Sequence, residues 1–81
     1  MIAADRLTTF EDDNKRTLLA GVEATIAGLP RTPPFGMHPA FYATDRRMFY
    51  RERDRLRADL GLPPGAPDPH LRALMRAAWA A

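Results

Sequence analysis

The chain has 81 residues, of which 46% are hydrophobic and 27% charged, with a formal net charge of +2 and no cysteine. That length suits one domain near the lower limit for a self-sufficient core, and the balance excludes a disordered polyelectrolyte. Without cysteine or serine the chain lacks disulfides, thiolate metal ligands and the commonest acyl-transfer nucleophiles.

Basic charge comes from eleven arginines and only Lys15, and there is no glutamine. This usage is what a GC-rich bacterial or phage genome produces. A net +2 does not by itself imply a polyanion partner. No apolar run approaches the ~18–20 residues that span a bilayer, so no membrane partner is expected. Met1-Ile2-Ala3-Ala4-Asp5-Arg6 lacks the basic and apolar regions of a signal peptide. The expected location is cytoplasmic.

Two Gly-Leu-Pro triplets, Gly28-Leu29-Pro30 and Gly61-Leu62-Pro63, each close a segment of helical periodicity. They predict three helices near residues 9–28, 39–60 and 69–80 within one domain, 1–81. The fold class is all-α: a small three-helix domain with two proline-rich connecting loops, helices one and two antiparallel, and no sheet. Both triplet glycines are expected in the left-handed region.

Helix one is predicted to start after Thr8, because Thr8-Thr9-Phe10-Glu11 has capping-box spacing. Glu11, Asp12 and Asp13 then fall in its first turn, complementing the dipole and within reach of the far half of helix two. Leu18, Leu19, Val22, Ile26 and Leu29 share one stripe at about 100° per residue. Thr17, Gly21, Ala24 and Gly28 form a row of small residues on another face that would admit a close helix.

The segment from Leu29 to Pro39 reads as extended or turn-like, since a residue before proline is pushed out of the α region. Phe35 and Met37 in it are expected to pin the loop to the helices, with a binding loop as the sharper alternative. Helix two starts at Pro39, a good first residue, and Gly61 stops it. Thr44 offers a cap for a shorter helix beginning at Asp45. Helix three has Asp68 as N-cap and Pro69 as first residue. Leu71, Leu74, Met75 and Ala78 form its stripe, with Trp79 at the edge.

The richest stretch runs from Arg46 to Arg57. Arg47, Arg51 and Arg55 make an i, i+4, i+8 row, and Arg46, Arg53 and Arg57 gather on the adjoining side. Arginine forks suit phosphates. Arg51–Asp54, Glu52–Arg55 and Arg55–Asp59, however, have the helical spacing of a solvated, paired surface.

No helix-turn-helix is present, because the connection between helices two and three is long and proline-rich and helix three carries only Arg72 and Arg76 as polar readers. His38 and His70 have no ligand partner at i+3 or i+4, so no metal site is expected. No catalytic residue or cofactor site is expected either. Prolines stand where a phosphate loop needs N–H donors, and the paired acids are sited as surface charges.

The expected function is a non-catalytic protein-interaction module, an accessory or assembly subunit or adaptor that binds another protein or itself. Phe41, Tyr42, Arg47, Met48, Phe49, Tyr50, Arg51 and Arg55 are the candidate partner-binding residues, since aromatics, Met and Arg are enriched at interfaces. The alternative is a nucleic-acid-associated protein that uses the arginine face on phosphates. The third reading is an enzyme component completed by a partner or cofactor.

Overall fold

The computed structural model describes the backbone of residues 2–80 and the side chains from Phe10 to Ala80. It contains three helices, α1 (Ile2–Ala27), α2 (Pro39–Asp59) and α3 (Leu71–Ala80), and no strand among the described residues. None of the three is long and apolar enough to cross a membrane.

α1 is longer than its sequence signals predicted. It is already helical at Ile2, and the backbone passes through Thr8 and Thr9 without a break. Ala3, Ala4, Arg6 and Leu7 are strong helix formers with no glycine or proline among them, so a local capping signal does not stop the helix extending upstream.

The two Gly-Leu-Pro stops differ. Gly61 has φ 73° and closes α2 with paired bonds, Gly61 N–H to Ala58 O (3.0 Å) and Leu62 N–H to Arg57 O (2.8 Å). That is a Schellman end. Gly28 is not left-handed, contrary to expectation. Its N–H still points to Ala24 and Thr25 carbonyls, and Leu29 N–H tightens onto Ile26 O at 3.1 Å. Here the helix narrows into a tighter last turn and the chain leaves it at Pro30.

α2 begins at Pro39 as predicted, and the residue before it supplies the cap: His38 Nδ1 accepts from Ala40 N–H at 3.0 Å. No break occurs near Asp45. Thr44 donates its hydroxyl back to Ala40 O within the running helix. α3 starts two residues later than predicted. Asp68 does cap it, accepting from His70 N–H at 2.9 Å, while Pro69 and His70 form a lead-in turn.

α2 is the central element. It packs against both α1 and α3, whereas α1 and α3 do not touch each other among the described residues. Leu19 and Leu56 are buried, and so is a cluster of Tyr42, Ala43 and Leu74 with Leu71 packed on it. Glu23 bonds Arg57 at 3.1 Å and Lys15 meets Asp59, the last residue of α2, at 3.8 Å. The turns of α1 before Lys15 therefore continue beyond the end of α2, in a molecule 58 Å long.

Several apolar expectations are corrected. Leu18 is exposed although it belongs to the α1 stripe, and the Thr17/Gly21/Ala24/Gly28 row faces open solvent. Phe35 does not pin its loop. It stands at the tip of a turn that Met37 N–H closes onto Pro34 O, with Gly36 at φ 84°. That is the i+2 position of a type II turn, which favours glycine. Trp79 is 85% exposed rather than packed at the edge of α3. With only ten residues, α3 reaches α2 through Leu71, Leu74 and Ala78, and its last turn overhangs.

Candidate functional site

The features that bear on function are arranged around α2. Arg46, Tyr50, Arg53 and Arg57 are spaced i, i+4, i+7 and i+11, so they form one stripe, and the second loop returns along it. At one end Arg57 donates to Pro63 O. Midway, the Arg53 guanidinium lies over the Tyr50 ring at 4.7 Å and bonds Asp54 Oδ1 at 3.0 Å. Gly65 closes on that plane, its N–H donating to the same Asp54 oxygen at 3.2 Å.

At the other end sits Arg46, only 2% exposed. Its Nε and Nη2 donate to the two carboxylate oxygens of Asp68, both at 2.8 Å. Its Nη1 donates to Pro30 O at 2.9 Å and lies 3.3 Å from the Tyr42 hydroxyl, which itself donates to Pro30 O. One guanidinium thus joins the first loop, α2 and the start of α3. No buried side-chain nitrogen or oxygen among the described residues lacks a partner.

The electrostatics follow from this geometry. The Arg46 fork holds the Asp68 carboxyl below the usual carboxylate range, helped by the His70 N–H, and Asp68 in turn strengthens the protonation of Arg46. Arg53, then the Gly65 N–H, lower the Asp54 carboxyl. On the outer surface Arg55 does the same to Glu52.

The residues singled out in the sequence do not form one surface. Tyr42 is 3% exposed, with its hydroxyl committed to Pro30 inside the fold, so it lies away from any outer contact. Tyr50 is half-buried beneath Arg53. Phe41 (71% exposed) and Met48 (63%) lie on the α1 flank of α2 with Phe49. There, Met48 and Phe49 line a cleft of about 450 Å³ with Val22, Asp45 and Glu52.

Arg47 and Arg51 lie on the opposite flank, toward α3, and meet no carboxylate among the described residues. Arg55 projects outward between the two and is compensated by Glu52 and Asp59. The Arg51–Asp54 pair does not form, because Asp54 turns to Arg53. Nor do Glu11, Asp12 and Asp13 reach α2; Asp13 pairs locally with Arg16. The acid that spans from α1 is Glu23.

Sequence reasoning missed Asp68 as the partner of Arg46, Val22 as a cleft residue and Leu18 as an exposed one. The grouping of Arg46, Arg53 and Arg57 was visible in the helical spacing. What it faced was not, since that depends on the path of the second loop. Among the described residues no three His, Asp or Glu side chains are grouped to hold a metal ion. No protein-family model, no curated protein and no solved structure matches the chain.

Proposed function

We propose that this chain is a non-catalytic protein-interaction module, an accessory or assembly subunit or adaptor, that contacts its partner through the α1 flank of α2. The observation that supports this is the exposure of large apolar side chains on one flank. Met48 and Phe49 line the Val22 cleft and Leu18 and Phe41 are exposed as well, while the buried polar side chains among the described residues are satisfied internally. Water contact at such a patch is unfavourable by roughly 25 cal/mol per Å², and an apolar cleft with a polar rim is how interface centres are built. A cytoplasmic location belongs to the same reading.

Affinity capture from the native host tests it, with wild type compared against Phe41→Glu/Met48→Glu. The variant should keep its circular dichroism and lose one discrete partner. An unchanged capture profile would remove this surface from consideration.

The nucleic-acid reading is weaker because most of its arginines are spent. Of the six on α2, Arg46, Arg53, Arg55 and Arg57 are bound to carboxylates or carbonyls within the chain. Arg47 and Arg51, even with Arg72 and Arg76 of α3 added, would give a salt slope of at most ~4, below the roughly 6–10 phosphate contacts of a strong backbone binder.

A further inference from the structure

The α3 flank of α2 carries an inference that rests on the interaction reading and names one occupant for this second surface. Arg47 borders two adjoining clefts, one walled by Tyr50, Arg51, Pro67 and Leu71, the other by Thr44, Met75, Ala78 and Trp79. Both lie between α2 and α3 with mostly apolar linings and meet at Arg47, and together they are called the α2–α3 trough. Arg53, Asp54 and Asp68 also line it, and their charges cancel, Asp68 against the buried Arg46 and Asp54 against Arg53. Arg47 and Arg51 do not, and Arg72 and Arg76 on α3 likewise meet no carboxylate among the described residues. The trough therefore asks for an occupant with an apolar side chain and several carboxylates.

One segment of the chain has that chemistry. On the α1 helix, Glu11 and Asp13 flank Phe10 while Asp12 turns to the far side, and Phe10 and Glu11 are exposed. The segment lies on the part of α1 that runs past the end of α2, and α1 makes no contact with α3 in the same chain. The opposite flank suits it less, because Asp45, which meets no cation among the described residues, lines that cleft and would repel the acids.

We propose that the α2–α3 trough receives the Phe10–Asp13 segment of a second copy of this chain, with Arg47 and Arg51 bonding its carboxylates and Phe10 covering the apolar lining. Every copy carries both halves, so a two-fold pair makes the contact twice. Charge pairs at such a contact speed encounter and fix register.

Sedimentation equilibrium of the full chain tests this, at low and moderate salt. Wild type should self-associate, more weakly as salt rises. Arg47→Glu/Arg51→Glu should raise the dissociation constant about tenfold or more, as should Glu11→Arg/Asp13→Arg, each with unchanged circular dichroism. Mixing the two variants should restore association, which a merely unfolded variant cannot do. A wild type that stays monomeric at its highest soluble concentration overturns the proposal, and so does association that survives both reversals. Loss of association through Met48→Glu alone would also overturn it while leaving the α1-flank reading intact. Single-stranded DNA that binds at low salt and displaces the second copy would reassign Arg47 and Arg51 to phosphates.

Discussion

The stripe of α2 that faces the second loop and the flank that faces α1 are both built from arginines and large apolar residues, yet one is closed and the other open. On the loop side Arg46, Arg53 and Arg57 are consumed within the chain. On the α1 side Phe41 and Met48 remain in water. The difference lies in donors and acceptors. Proline has a carbonyl but no N–H, so a proline-rich loop carries surplus acceptors, and arginine, with five N–H donors and no acceptor, is its complement. Pro30 and Pro63 accept from Arg46 and Arg57 in this way. Among the described residues Phe41 meets only the edge of His38, and both it and Met48 stay largely exposed.

The sharpest break of the closed side is at Arg46–Asp68. Replacing one partner leaves a buried charge uncompensated, so Asp68→Ala should cost ~3–5 kcal/mol in urea unfolding, while Arg46→Met/Asp68→Leu should cost much less. For an 81-residue domain the single change takes a large share of total stability. If the two variants unfold alike, the pair is not the fastening described here.

Acid should reach the same seam. Asp68 and Asp54 have lowered carboxyl values when folded, so their contribution is fully present above the ordinary carboxylate range, near pH ~4. It is lost as pH falls through the lowered folded values. Urea midpoints should drop through that window, and less steeply in the Arg46→Met/Asp68→Leu variant.

Gly65 is next. A Cβ there would stand 2.6 Å from Arg53 Cζ, which is held by Asp54 and the Tyr50 ring. Gly65→Val should destabilise by ~1–3 kcal/mol through displacement of that guanidinium. Smaller still is the contrast between the two stops. Gly61→Ala should cost ~1 kcal/mol for its left-handed backbone, whereas Gly28→Ala should be neutral or stabilise by a few tenths. An added Cβ at Gly28 meets only ordinary contacts at 3.6 and 3.7 Å.

The open side should barely respond in stability. Met48→Glu is expected to change unfolding by no more than ~0.5 kcal/mol, because the side chain is already solvated. A large loss there would mean that the α1 flank is closed in solution, and the contrast between the two sides would fall.

Helix number and order were legible because the stops and stripes are local signals. Pro39, Asp68 and Gly61 did in the structure what their chemistry implied. The start of α1 and the conformation of Gly28 were not legible, since neither is fixed by the few residues around it. Tyr42 shows the same limit at the candidate surface. Its aromatic ring and hydroxyl are equally suited to an interface or to a buried bond, and only the path of Pro30 over α2 decides between them. The arginines divide similarly: spacing put Arg46, Arg53 and Arg57 on one stripe, and Arg53 bonds its neighbour Asp54, but the acceptors of Arg46 and Arg57 come from residues 6 to 34 positions away.

Pro30 O is the acceptor on which Tyr42 and Arg46 converge, and Arg46 also holds Asp68 at the entry to α3. Arg46 therefore couples the first loop to the start of α3, while the earlier part of the second loop is held separately through Pro63 and Gly65. When α3 lifts, Asp68 leaves, Arg46 loses its counter-charge, and the grip on the first loop loosens with it. The first loop, the Asp68 turn and the last helix should therefore open as one cooperative unit, with a shared free energy of amide exchange, while the middle of α1 follows its own.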